Sequence, residues 1–230
     1  MPSLNTVTVS IYQTGKPKTV IAFAPDIRWK LTAQRPVLAS RPRAACNARV
    51  PTKDDLRLEM KQRLRALDPR ARALASEKIC RAIANDAAWK SARLAAAFLP
   101  IPGEPRIAPL WECADVPAIC IPRVRGPRCD LVLLPDRAAL AHAGWQLTGA
   151  EFDALPAIDL ATVDVMLVPG LAFTAEGLRL GRGGGYYDRL LAACAPHTRT
   201  IGVCFATQLV TTLPTEPHDQ KVGRVVTESA

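Results

Sequence analysis

Asp164–Cys194 reads DVMLVPGLAFTAEGLRLGRGGGYYDRLLAAC. It opens on a continuous apolar run, DVMLVPG, of the kind that marks a strand covered on both faces. It closes on a helix-like pattern, GYYDRLLAAC. Between them lies a basic loop with three consecutive glycines, Gly183, Gly184 and Gly185. Four further apolar runs repeat the strand signal: LAAAFLPI (94–101), PAICIPRV (117–124), DLVLLP (130–135) and RTIGVCFA (199–206). IAPLWECA and GYYDRLLAACA are the expected crossover helices. The fold class expected is α/β, a doubly wound, mostly parallel sheet with helices on both faces, preceded by a helical N-terminal segment. Ligands in such folds sit outside the C-terminal ends of the strands, in loops like this one.

The N-terminal segment is PTKDDLRLEMKQRLRALDP (51–69). Thr52 can cap a helix, and Asp55, three residues on, can reach back as in a capping box. Leu56, Met60, Leu64 and Leu67 form a stripe at helical spacing. Asp68-Pro69 ends this helix and starts a second, over about 70–86, expected to bury Leu74, Ile79 and Ile83.

The chain has 230 residues, 49% of them apolar, enough for a full core. No apolar run approaches the roughly 20 residues of a membrane span. The net charge of +9 raises nucleic acid as a partner, but residues 1–50 carry +7 of it and the rest only +2. Residues 1–50 are therefore read as a basic leader outside the fold, a disordered extension or a start upstream of the native one, with a faint likeness to a transit peptide. Residues 51–230 are read as a single α/β domain. Seven cysteines, none in a Cys-x-x-Cys spacing, read as reduced thiols and a cytoplasmic location. The three histidines are scattered, which argues against a zinc site.

The loop itself points to phosphate. Three glycines let phosphate oxygens approach the backbone N–H groups and allow the positive φ angles that make those groups converge. A helix beginning near Tyr186 adds the positive end of its dipole. Arg179 and Arg182 bring planar, fixed charge, and Asp188 can hold a magnesium ion beside nucleotide phosphates. A Walker loop is excluded because no Gly-Lys-Ser/Thr follows. A dinucleotide fingerprint read from Gly181 fails at Tyr186, where its third glycine would stand.

The stretch VPGLAFTAEGLRLGRGGGYYDRLL resembles the signature of the 5-formyltetrahydrofolate cyclo-ligases, also called 5,10-methenyltetrahydrofolate synthetases, and further matches run from about residue 53 to the C-terminus. The resemblance implies ATP-dependent conversion of 5-formyltetrahydrofolate to 5,10-methenyltetrahydrofolate, with release of ADP and phosphate. The formyl oxygen attacks the terminal phosphate of ATP, the neighbouring amine nitrogen closes the ring, and phosphate departs. It implies ATP contacts from Lys53 and Arg57 of KDDLR and from Arg179, Leu180, Gly181, Arg182, Gly183, Gly184, Gly185, Tyr186 and Tyr187. Substrate contacts are implied for Leu99 and Glu104 of FLPIPGE, for Trp145, and for the loop from Arg182 to Tyr186. Arg182 and Tyr186 are the candidate catalytic residues, and Asp188 and Asp219 the candidate magnesium ligands. The partners implied are small molecules, with no nucleic acid or membrane and a monomeric enzyme. The chain departs from the family pattern at Thr174, at Gly223 and in lacking a Glu-Pro pair before DVMLVPG. Those departures keep a rival open, a paralogue that retains the ATP loop but acts on another substrate. A basic nucleic-acid-binding module is the rival from another class, and the near-neutral charge of residues 51–230 argues against it.

Overall fold

The structure is a computed structural model that describes residues 7–13, 16–22, 51–111, 116–134 and 150–229. Two compact units divide at Ala48–Arg49. In the first, β1 (Val7–Gln13) and β2 (Lys16–Ala22) pair as an antiparallel hairpin.

The second unit begins with the expected helices. α1 (Lys53–Ala66) carries the complete capping box: Asp55 N–H donates to Thr52 Oγ1 at 3.2 Å, and Thr52 N–H donates to the Asp55 carboxylate at 2.9 Å. α2 (Pro69–Ala84) is capped by Asp68 with Pro69 in its first turn, and α3 (Ala87–Ser91) follows. Met60 and Leu64 are fully buried on α1, with Leu56 and Leu67 packed against the same core. On α2, Ile79 and Ile83 are buried as expected, but Leu74 is 54% exposed. Nine residues separate Leu74 from Ile83, which at about 100° per residue puts them on opposite sides of the helix.

Seven strands form the main sheet in the order β11-β10-β7-β3-β4-β5-β6. They are β3 (Leu94–Ala96), β4 (Ala118–Arg125), β5 (Arg128–Leu133), β6 (Ala157–Ile158), β7 (Val165–Pro169), β10 (Arg199–Val203) and β11 (Arg224–Val226). A separate antiparallel pair, β8 (Ala172–Phe173) and β9 (Arg179–Leu180), follows β7. β4, β3, β7, β10 and β11 run parallel. β5 runs antiparallel to β4, because only Gly126 and Pro127 separate them and so short a link cannot cross over, and β6 pairs antiparallel with β5, which returns it to the common direction. The expected crossover helix at IAPLWECA is, over the described residues, a single 3₁₀ turn at Ala108–Trp111. The crossover at GYYDRLLAACA is a helix, α5 (Tyr186–Ala193), and a short α4 (Ala150–Ala154) precedes β6.

Both faces of the sheet are buried, which explains the continuous apolar runs. Along β7, Val165 and Leu167 enter one core with α1 and α2, while Met166 and Val168 enter the other with Leu190 of α5. The sheet extends in opposite directions from the β3–β7 boundary, with β4 on one side and β10 and β11 on the other. That boundary is the topological switch point, where doubly wound sheets open a crevice for ligand.

Candidate active site

A cavity of about 430 Å³ occupies that position. Phe98, Leu99, Ile101 and Glu104 enter it from the segment after β3, and Pro169 and Gly170 from the end of β7. The loop from Arg179 to Asp188 forms one wall. Pro122 and Val124 of β4 with Cys129 of β5 form the facing wall. Lys53 and Arg57, at the start of α1, close one end with Glu216, His218 and Asp219.

The glycine loop is shaped by three separate constraints. Gly183 has φ 110° and Gly185 φ 63°, both in the region that favours glycine. Gly185 caps α5 with no side-chain bond, so its backbone alone directs the chain into the helix. Gly184 is required by space: a Cβ there would lie 2.7 Å from the Tyr186 ring.

Every cation that lines the cavity is held by a carboxylate. Arg182 Nε donates to Glu104 Oε1 at 3.1 Å, joining the glycine loop to the segment after β3. Arg179 Nη2 donates to Asp188 Oδ1 at 2.8 Å and its guanidinium stands 5.8 Å from the centre of the Tyr187 ring. Lys53 Nζ donates to both oxygens of Asp219, at 2.9 and 2.7 Å, and lies 3.2 Å from Glu216. Arg57 Nε donates to Gly181 O at 3.1 Å and Nη1 pairs with Asp54 at 2.6 Å. Arg57 therefore reaches the glycine loop from another element, 124 residues away in the chain.

The local fields differ. Burial raises the Glu104 carboxyl above its ordinary range, and the Arg182 guanidinium only partly opposes this. Burial likewise holds the Tyr187 phenol well above its usual value, so it stays un-ionised. The Cys129 thiol is pushed up to about 11 by burial and by Asp130. At Asp219 burial acts upward, but the hydrogen bonds from Lys53 and from the Glu216 N–H win and hold the carboxyl below its ordinary range.

Lys53, Arg57, Leu99, Glu104, Arg179, Leu180, Gly181, Arg182, Gly183, Gly184, Gly185, Tyr186, Tyr187, Asp188 and Asp219 all line this one cavity. Trp145 lies outside the described residues. The Tyr186 hydroxyl donates to Gly126 O at 3.0 Å, in the turn between β4 and β5. Asp188 and Asp219 do not share one group of metal-holding side chains. Among the described residues that group is Glu216, His218 and Asp219, whose ligand atoms lie within 4.8 Å of one another. Asp188 sits next to it, accepting from Gln220 N–H at 3.3 Å.

Several residues had no sequence signal as site residues. Pro122, Val124 and Cys129 read only as strand. Glu216 and His218 stand in EPHDQKVG, where the resemblance points to Asp219 alone. Gln208, fully buried, donates to Gly170 O and Leu171 O at 2.8 and 3.1 Å and so fixes the floor after β7. Thr174 is buried in the β8–β9 turn, away from the cavity lining, where its hydroxyl accepts from Leu178 N–H. Gly223 packs on β10, with its N–H on Thr200 Oγ1 at 2.8 Å, and a Cβ there would lie 3.2 Å from Thr200 O.

Residues 49–228 match the model of the 5-formyltetrahydrofolate cyclo-ligase family. A mouse 5-formyltetrahydrofolate cyclo-ligase is 29% identical over 191 residues, 77% of this chain and 94% of that one. The protein of the same name from Mycolicibacterium smegmatis is 35% identical over 146 residues, covering 60% of this chain and 74% of its own. Among solved structures, the Aquifex aeolicus 5,10-methenyltetrahydrofolate synthetase superposes with a TM-score of 0.64 at 29% identity, over 77% of this chain and 90% of that one. A Mycoplasma pneumoniae 5,10-methenyltetrahydrofolate synthetase has a TM-score of 0.61 at 19% identity, over 76% and 98%, a likeness of fold. A match over 180 residues that contains every described residue of the cavity leaves one assignment: the chain belongs to the 5-formyltetrahydrofolate cyclo-ligase family.

Proposed function

We propose that this chain converts 5-formyltetrahydrofolate and ATP to 5,10-methenyltetrahydrofolate, ADP and phosphate in the cavity between β3 and β7. The observation that carries this reading is the Glu104–Arg182 contact of 3.1 Å. It joins the segment expected to hold folate to the loop expected to hold phosphate, so the formyl group and the terminal phosphate can meet within one cavity.

The residues divide the chemistry as follows. The N–H groups of Gly183–Gly185 and the start of α5 cradle phosphate oxygens. Arg182 and Lys53 neutralise the charge that spreads over the transferring phosphoryl group. Arg57 braces the loop through Gly181 O. Glu104, buried beside Arg182, accepts from the donor-rich edge of the pterin. The formyl oxygen then attacks the terminal phosphorus as ADP leaves, the amine nitrogen attacks the activated carbon and loses its proton, and phosphate departs. Leu99, Pro122 and Val124 exclude water from the activated carbon, which water would otherwise return to the formyl compound.

A divalent cation fits the acidic end of the cavity. Asp219 and Glu216 present oxygen donors of the type magnesium prefers, with Asp188 adjacent. When bound there, magnesium would offset phosphate charge. The free thiols of Cys120, Cys129, Cys194 and Cys204 support a reducing compartment such as the cytoplasm. Among the described residues no helix is long and apolar enough to cross a membrane. We infer a monomer that takes small molecules only, without nucleic acid.

Incubation with ATP, magnesium and 5-formyltetrahydrofolate, followed by methenyl absorbance, tests the reading. Wild-type protein should turn over. Arg182→Ala and Asp188→Ala should lose at least about 100-fold in kcat/KM while remaining folded, and chelation of magnesium should stop the reaction. Near-wild-type rates in both variants would refute the site.

A further inference from the structure

Arg189 sits in the first turn of α5, one residue beyond the signature tyrosines and aspartate. A positive charge there opposes the helix dipole. No carboxylate among the described residues pairs with it, in contrast to Lys53, Arg57, Arg179 and Arg182. Its guanidinium stands 4.9 Å from the centre of the Tyr186 ring. The same nitrogen, Nη2, donates to Pro127 O at 3.2 Å and to Gly184 O at 3.3 Å. One carbonyl belongs to the β4–β5 turn, the other to the glycine loop.

Gly184 lines the cavity, and Pro127 lies in the turn that joins β4 and β5, whose Pro122, Val124 and Cys129 line it too. The β4–β5 ladder closes the turn itself, and its hydrogen bonds to the glycine loop and α5 come from Arg189 and from the Tyr186 hydroxyl, which donates to Gly126 O. Behind the turn, Pro122, Val124 and Cys129 face the cavity with no charge and no phosphate donor. Val124 is 52% exposed, an apolar surface that a ring-bearing ligand would cover. The triphosphate has its donors on the other wall. The width between the walls therefore governs the ring-bearing substrate far more than the nucleotide.

We propose that Arg189 is a positioning residue. By bridging Gly184 O and Pro127 O it sets the distance from the glycine loop to the β4–β5 wall, and with it the fit of the folate rings. This rests on the function proposed above.

The test is a full Michaelis analysis of wild type, Arg189→Met, Arg189→Gln and Arg189→Lys, with melting curves for each. Loss of a charge-assisted bridge should raise the KM for 5-formyltetrahydrofolate about tenfold in Arg189→Met, with the KM for ATP within about twofold of wild type. Arg189→Gln keeps a donor without the charge and should recover part of the loss. Arg189→Lys keeps the charge without the planar fork and should do no better than Gln. Equal rises in both KM values would overturn the proposal, as would full rescue by Lys, which would make the role one of charge. If Arg189→Met melts below the assay temperature, 5-formyltetrahydrofolate titrated into Arg189→Gln without ATP decides: wild-type affinity overturns the proposal and weakened affinity supports it. A wild-type protein that does not turn over would sink the proposed function. An active wild type with three indistinguishable variants would sink only the role of Arg189.

Discussion

A Cβ on Gly184 would strike the Tyr186 ring, whereas Gly183 and Gly185 are tied to glycine by their backbone angles. Gly183→Ala and Gly185→Ala should each cost about 1–2 kcal/mol in urea denaturation, the strain of an L-residue at positive φ. Turnover should fall further than stability, because the strain is relieved by moving the N–H groups proposed to hold phosphate. Glu104 gives a second test. Its carboxyl binds a proton more tightly in the folded chain than in the unfolded one. The contribution of this group to stability is therefore fully present below its unfolded value and is lost as pH rises through the raised folded value. Glu104→Gln has no such loss. Melting temperatures at pH 4 and pH 7 should shift in favour of the variant at the higher pH, while its KM for folate rises. The opposite drift would contradict the burial of this carboxylate.

The β4–β5 hairpin is the element that the sequence disclosed least. Its runs read correctly as strands, but apolar content does not reveal direction, and the antiparallel turn depends on two residues, Gly126 and Pro127. Arg123 shows how the hairpin is anchored. Its side chain is 4% exposed and pairs with Asp130 at 2.8 Å across the strands. Nη1 also donates to the carbonyls of Phe152, Asp153 and Leu155, at 3.1, 3.1 and 2.7 Å, around the end of α4. Arg123→Met leaves those carbonyls and Asp130 without their donor. The expected loss is about 3 kcal/mol in urea denaturation, toward the low end for a broken buried pair because Asp130 reaches solvent. A loss under about 0.5 kcal/mol would mean that water replaces the guanidinium at no cost.

For the molecule as a whole, the unit boundary at Ala48–Arg49 coincides with the start of the family match at residue 49. A protein of residues 49–230 should therefore fold and turn over with kcat and KM within about twofold of the full chain, a difference of roughly 0.4 kcal/mol. Loss of turnover on truncation would assign the leader a part in the enzyme. Features that depend on near neighbours were readable along the chain: the capping box of Thr52 and Asp55, the buried strand β7, and the glycine loop between arginines. Periodicity, caps and backbone freedom act over a few residues, so a string of letters carries them. The meeting of Glu104 with Arg182, of Lys53 with Asp219 and of Arg57 with Gly181 spans 78, 166 and 124 residues. Spacing alone does not encode such contacts. They follow from the strand order, which brings the ends of β3 and β7 together and sets α1 beside them. The same is true of the facing wall, where Pro122, Val124 and Cys129 became cavity residues only because β5 turned back on β4. The family resemblance pointed to residues of this cavity without Glu216, His218 or the facing wall, and packing decided which of them touch.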